Sequence, residues 1–158
     1  MTFNTHSDNI RSWGVCLGAS TISLVQISID PNRPEFRPRI VDHRLYAHGG
    51  DPKNTLLKAF REISPGKEDK IAATGRKFRN FVNLSSISEP EAVEYAYRYT
   101  RPENRSCPAV VSAGGETFMV YQLNDTGRIT NVITGNKCAS GTGEFFLQQL
   151  RRMDVSLE

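Results

Sequence analysis

The segment WGVCLGASTISLVQISI, residues 13–29, indicates two β-strands joined by a turn of small residues. A short apolar run at 14–18 predicts the first strand, and the alternation of apolar and polar residues after it predicts the second. Backbone N–H groups and hydroxyls exposed in such a turn can bind a phosphate. A Gly-containing turn between apolar strands is also typical of a plain hairpin, so this segment alone leaves both interpretations open.

The surrounding chain predicts further strands and two helices. A third strand is expected at 39–46, and Asp51-Pro52 supplies the cap and first-turn proline of a helix that Ser64-Pro65-Gly66 ends. A short strand at 71–73 and a helix opened by Ser88 follow. Strands are then expected at 107–112, 116–123 and 128–134. The last two flank a hairpin turn at 124–127.

A second turn of small residues, SAGGET at 112–117, opens this later group of strands. Two such turns indicate a phosphate site more strongly than one, because in a two-lobed fold they would face each other across a cleft. The repeat also predicts a duplicated unit whose second copy is cut short, so that the chain is a piece of a longer polypeptide. We therefore expect a disordered N-terminus at 1–12, a first subdomain at 13–106 and a truncated second subdomain at 107–158.

A third glycine-rich loop, NKCASGTG at 136–143, leads into an apolar-faced helix that is expected at 144–153. The N-terminus of a helix stabilises an anion, either a phosphate or a thiolate-bound iron–sulfur cluster. A cysteine in this position, Cys138, has its thiolate form favoured. The alternative is an ordinary glycine-rich loop in which Cys138 is an inert small residue.

The stretch GNKCASGTGEFF, residues 135–146, resembles the NDKCAAGTGRF motif of the BadF/BadG/BcrA/BcrD ATPases, the activators of 2-hydroxyacyl-CoA dehydratases and benzoyl-CoA reductases. The resemblance covers about residues 13–158. It implies an α/β, ribonuclease H-like, actin-type ATPase fold, in which helices flank a mixed sheet. Further family motifs are matched in order by Gly14–Thr21, Thr74–Arg76, Ile87–Glu89 and Val111–Val120.

The resemblance also implies ligands and partners. ATP or ADP with Mg²⁺ would bind this domain, and an electron of low potential would pass to an acyl-CoA dehydratase or reductase. Cys138 would hold a four-iron four-sulfur cluster between two subunits or two ATPase domains of one chain, and the second ligand would lie downstream, so we expect little or no cluster on this chain alone. The implied phosphate-binding residues are Gly18, Ala19, Ser20, Thr21, Gly114, Gly115, Gly141, Thr142 and Gly143.

Acidic positions of the family motifs are replaced in this chain. Cys16 stands where an acidic residue helps to hold hydrated magnesium, and Ser112 replaces the leading aspartate of the second motif. A thiol is a poor ligand for this hard cation. Glu116 is the carboxylate that remains beside the second turn, and it is the candidate catalytic group. A non-hydrolysing binding or assembly module is therefore the alternative function, followed by a carbohydrate kinase of the same superfold.

Composition excludes several other classes of function. The net charge of +3 lacks a long basic block, which argues against nucleic acid as a partner. No apolar run reaches the roughly 18 residues of a membrane span and no signal segment precedes Trp13, so we expect a cytoplasmic protein. The cysteines are expected to be reduced thiols, and the histidines, which lack metal-like spacing, are expected at the surface. These residues are Cys16, Cys107, Cys138, His6, His43 and His48.

Overall fold

The computed structural model describes residues 9–33, 37–75, 82–100, 109–114, 118–135 and 149–155. The chain divides into two units, Met1–Ser88 and Glu89–Glu158. The first contains β1 (Ile10–Leu17), β2 (Thr21–Ile29), β3 (Arg39–Ala47), α1 (Pro52–Ile63), β4 (Lys70–Thr74) and β5 (Ser85–Ser86). The second contains α2 (Glu89–Thr100), β6 (Ala109–Ala113), β7 (Phe118–Leu123) and β8 (Ile129–Thr134).

The sheet of the first unit has five strands in the order β3-β2-β1-β4-β5. The first three strands form the predicted antiparallel meander, and β4 then returns parallel to β1 after the crossover through α1. The sheet is therefore mixed, as predicted. Strand β1 begins at Ile10, four residues before the strand predicted at 14–18, because Ile10 pairs with Ile29 at the end of β2.

One face of this sheet carries the core. The alternation of β1 buries Trp13, Val15 and Leu17, and β2 adds Ile22 and Leu24 to the same cluster. Leu56 and Ala59 of α1 complete the layer that covers this face. The opposite face of β1 presents Gly14 and Cys16 to solvent. The core therefore fixes which side of β1 each residue of the first motif faces.

The ends of α1 follow the sequence signals. The Asp51 side chain accepts a hydrogen bond from the backbone N–H of Asn54 at 3.2 Å, and Pro52 is the first helical residue. The helix ends at Ser64, whose left-handed backbone (φ 43°) lets its N–H donate to the Phe60 carbonyl oxygen at 3.0 Å. The predicted cap and stop are both confirmed.

The second unit pairs a helix with a three-stranded antiparallel sheet of order β6-β7-β8. The predicted hairpin turn joins β7 to β8. Helix α2 is fixed to this hairpin by Glu94, which accepts from the Ile129 backbone N–H at 2.8 Å and from Arg128 Nη1 at 3.1 Å. Tyr121, fully buried in β7, donates its hydroxyl to Glu89 Oε1 at 3.4 Å.

Residues 149–152 are helical, in agreement with the helix expected at 144–153, whose earlier part lies outside the described residues. Within the described parts of the chain, no helix has the length and apolar character to cross a membrane.

Candidate functional site

A tight turn between β1 and β2 forms the first predicted phosphate site. The Gly18 N–H donates to the Thr21 carbonyl oxygen at 2.9 Å, which closes the turn. A β-carbon on Gly18 would lie 3.0 Å from that same oxygen, so the closed turn leaves little room for a larger residue. Ala19 and Ser20 are exposed at the tip. The turn thus presents short side chains and backbone to solvent. Strand β1, which leads into it, has its other face buried in the core.

The end of β4 lies against the base of this turn. Gly75, directly after β4, has a φ of +119°, and a β-carbon there would come within 2.3 Å of the Leu17 carbonyl oxygen. The Thr74-Gly75 segment, singled out in the sequence, is therefore in backbone contact with the last residue of β1. The Thr74 hydroxyl is buried, and it has no hydrogen-bond partner among the described residues.

His48 is buried beside the turn, with 7% of its surface exposed. The expectation of a surface histidine holds for His43, which is exposed, and is wrong for His48. The reason is that the β3–α1 loop packs against the turn, where the His48 backbone N–H donates to the Ser20 carbonyl oxygen at 3.0 Å. The residues that bury His48 are distant from it in sequence, so the spacing of the histidines does not reveal this burial.

Asp51 carries a negative charge close to His48. Its backbone N–H donates to the His48 carbonyl oxygen at 2.8 Å. Hydrogen bonds from the Asn54 side chain and then the Asn54 backbone N–H lower the pKa of the Asp51 carboxyl. This carboxylate is therefore ionised near neutral pH, and it serves as the cap of α1.

Cys16 faces solvent from the sheet face opposite the core. Its neighbours across the sheet are Ser23 on β2 and Thr74 on β4. Together they offer a thiol and two hydroxyls, which do not fit a protein-held magnesium ion. Among the described residues no group of three or more His, Cys, Asp or Glu side chains is placed to hold a metal. A Mg²⁺ ion beside Cys16 would therefore take its ligands from water or from nucleotide oxygens and not from these three side chains.

The other predicted site residues belong to the second unit. Gly114 follows β6, whereas Gly115, Glu116, Cys138, Gly141, Thr142 and Gly143 lie outside the described residues. The Gly135 N–H donates to the Phe118 carbonyl oxygen at 2.9 Å. Strand β8 therefore ends beside the start of β7.

Comparison with curated proteins identifies two similar activators. The 2-hydroxyisocaproyl-CoA dehydratase activator of Clostridioides difficile is 29% identical over 110 residues, which cover 66% of this chain and 40% of that protein. The activator of lactoyl-CoA dehydratase of Anaerotignum propionicum is 31% identical over 111 residues, 68% of this chain and 41% of that protein. No protein-family model matches the chain.

A solved structure shares the fold. The activator of the 2-hydroxyisocaproyl-CoA dehydratase from Clostridium difficile with bound ADPNP superposes with a TM-score of 0.66 at 24% identity, over 93% of this chain and 53% of that one. The chain spans about two fifths of the length of the curated relatives it matches. The resemblance found in the sequence is thus confirmed: the chain is a relative of the CoA-dehydratase activators, the BadF/BadG/BcrA/BcrD type of ATPase, and has their actin-like ATPase fold.

Proposed function

We propose that this chain is the nucleotide-binding domain of an ATP-dependent activator of an acyl-CoA dehydratase or reductase. The observation that carries the proposal is the closed turn at Gly18–Thr21, held between Gly75 on one side and His48 on another. The similar protein of known structure carries ADPNP, a nucleotide analogue. Since the chain spans about two fifths of its curated relatives, the activity of the whole protein is part of the proposal.

The turn has the properties that a phosphate requires. Its tip residues, Ala19 and Ser20, are exposed and short, so an anion can approach the backbone closely. Its backbone is already fixed by the Gly18–Thr21 hydrogen bond, so binding costs little conformational entropy. The hydroxyls of Ser20 and Thr21 add donors beside the backbone N–H groups. Gly18, Ala19, Ser20 and Thr21 are accordingly the proposed phosphate-binding residues of the first unit.

In the second unit, the family motifs point to residues with similar roles. Gly114 and Gly115 belong to a second phosphate-binding turn, with Glu116 as its catalytic carboxylate. In the sequence, Gly141, Thr142 and Gly143 directly precede the helix predicted at 144–153. The hydrogen bond of Gly135 to Phe118 supports a common location of these segments at one end of their sheet.

Cys138 is the proposed ligand of a four-iron four-sulfur cluster in the whole protein. When bound, such a cluster supplies electrons of low potential to the partner enzyme. The remaining ligands would come from a second subunit or a second ATPase domain. The chain's own contribution is a cysteine shortly before the helix predicted at 144–153, where the thiolate form that binds iron would be favoured. The match of residues 135–146 to the family motif supports this assignment.

A second function is favoured by Cys16. This residue stands where the family has an acidic group that helps to hold hydrated magnesium, and its exposed side chain has no carboxylate across the sheet at Ser23 or Thr74. Losing a group of this kind costs about 10- to 100-fold in metal affinity or activity. The alternative is therefore a domain that binds nucleotide without hydrolysing it and acts as a binding or assembly module.

Calorimetric titration of the chain with ATP and with ADP, in the presence of Mg²⁺, separates these functions when phosphate release is followed in parallel. Binding with turnover supports the activator. Binding without turnover supports the non-hydrolysing module. Absence of binding to either nucleotide rejects both and leaves the fold alone.

A further inference from the structure

His48 makes contacts to the turn through both its backbone and its ring. The backbone N–H donates to the Ser20 carbonyl oxygen at 3.0 Å, and ring atom Nε2 lies 3.4 Å from the Gly18 carbonyl oxygen. Ring atom Nδ1 accepts the Gly50 backbone N–H at 3.2 Å. His48 is also the one buried polar or charged residue of the described part of the chain. A buried group with this many contacts to a single turn constrains the backbone of that turn.

The contact with Gly50 fixes the hydrogen on the ring. Because Nδ1 accepts a hydrogen bond, it carries no hydrogen, and the neutral imidazole then carries its hydrogen on Nε2. Nε2–H is therefore the donor and the Gly18 carbonyl oxygen is the acceptor. The ring thus links the β3–α1 loop to the first residue of the turn.

The direction of these two carbonyl groups determines where the neighbouring N–H groups point. All peptide bonds of the described residues are trans, so each carbonyl is opposed by the N–H of the next residue. The Gly18 carbonyl faces the His48 ring, so the N–H group of Ala19 points to the other side of the turn. The Ser20 carbonyl accepts from the His48 N–H on the β3 side, so the N–H group of Thr21 points toward β1, as the Thr21 carbonyl does. Carbonyl oxygens repel a phosphate and N–H groups attract it.

We propose that His48 is a positioning residue of the phosphate-binding turn: it holds the Gly18 and Ser20 carbonyls on its own side and so directs the N–H group of Ala19 toward the ligand. The inference rests on the proposed function, since the ligand is the phosphate chain of a nucleotide. His48 belongs to none of the matched motifs, and it lies in a loop about 30 residues from Gly18 along the chain. His48 itself does not touch the phosphate.

Two amide substitutions separate the ring contacts. His48→Gln has an amide long enough to donate to the Gly18 carbonyl. His48→Asn is shorter, and its oxygen can still accept the Gly50 N–H in an Asx-type turn, but its amide does not reach Gly18. We expect His48→Asn to weaken the affinity for MgADPNP by about 2- to 10-fold, the effect of one lost hydrogen bond, and His48→Gln to restore most of it. His43→Asn, on the exposed surface of β3, is the matched control with unchanged affinity.

The test combines calorimetry with NMR of the nucleotide-free chain. In His48→Asn we expect faster backbone motion at Gly18, Ala19 and Ser20 and unchanged signals from the core, whereas His48→Gln stays close to wild type. If wild type binds MgADPNP and His48→Asn binds it equally tightly, the inference is wrong while the proposed function stands. If wild type binds no nucleotide, the proposed function fails. In that case the NMR measurement still tests the inference: if the backbone of the turn is as rigid in His48→Asn as in wild type, the inference is wrong.

Discussion

Gly75 and Leu17 meet backbone to backbone at the base of the β1–β2 turn, and a β-carbon on Gly75 would lie 2.3 Å from the Leu17 carbonyl oxygen. Real β-carbons essentially never come this close to another atom, so any residue other than glycine at position 75 requires the backbone of β1 or β4 to shift. The contact joins the Thr74-Gly75 segment to the proposed phosphate-binding turn. A larger residue at position 75 would increase the distance between the ends of β4 and β1 and should displace the turn.

Replacing Gly75 with alanine should therefore destabilise the first unit and disturb the turn. The positive φ of +119° and the contact with Leu17 both oppose a β-carbon. We expect a loss of about 1–3 kcal/mol or more, measured by urea unfolding, together with weaker binding of MgADPNP. Gly14→Ala is the matched control, because a β-carbon there meets its nearest neighbour at 3.9 Å. Equal stability of the two variants would contradict the contact.

The core face of the sheet predicts a strong contrast between two leucines. Leu24 is fully buried in β2, whereas Leu45 on β3 is 68% exposed. We expect Leu24→Ala to lower the free energy of unfolding by about 2–5 kcal/mol, through lost burial and a cavity. Leu45→Ala should change it by less than about 0.5 kcal/mol. Fluorescence of Trp13, the one tryptophan of the chain, reports unfolding of this core. Similar losses in both variants would mean that the buried face is assigned wrongly.

Cys16→Asp should increase magnesium-dependent phosphate release. The side chain is exposed, so a carboxylate can be hydrated at this position. The aspartate would restore the acidic group that the family motif has here. We expect an increase of about tenfold, within the 10- to 100-fold effect of a group that supports a metal. Cys16→Ser, which supplies oxygen without charge, is the control and should stay at the wild-type rate. An unchanged rate in Cys16→Asp would show that this position does not limit hydrolysis.

Glu94 should make the stability of the second unit depend on pH. The hydrogen bond from the Ile129 N–H, and then the charge and hydrogen bond of Arg128, lower the pKa of the Glu94 carboxyl in the folded chain. A lowered pKa contributes stability that is present above the unfolded value, about 4.3 for glutamate, and is lost as the pH falls through the folded value.

Thermal unfolding by circular dichroism between neutral and acidic pH checks this prediction. Glu94→Gln keeps an acceptor for Ile129 and removes the charge, so its midpoint should fall less on acidification than that of wild type. Glu68→Gln, at an exposed position of the first unit, should retain the wild-type pH dependence. If the unfolding midpoint depends on pH identically in wild type and Glu94→Gln, Glu94 is not the cause of the pH dependence.

Local signals predicted much of the fold. The cap at Asp51, the stop at Ser64 and the meander of β1 to β3 depend on neighbouring residues, and each is found in the structure. The burial of His48 depends on contacts with Gly18 and Ser20, far away along the chain, so no local pattern could reveal it.

For the candidate site too, the sequence predicted the local turn but not the contacts between distant segments. Small residues at 18–21 indicated an accessible turn, and the structure places them in one. The contact of Gly75 with Leu17 requires the parallel pairing of β4 with β1, which a pattern within either strand does not specify. The roles of Gly115, Glu116 and Cys138, outside the described residues, stay predictions from the motifs.

The central claim is that the turn at Gly18–Thr21 binds the phosphates of a nucleotide. NMR of the ¹⁵N-labelled chain, titrated with MgADPNP, measures this residue by residue. We predict saturable shifts of the backbone amide signals that are largest at Ala19, Ser20 and Thr21 and smaller in the core strands. Saturable binding that leaves these amide signals unmoved, or no binding at millimolar MgADPNP, would contradict the account.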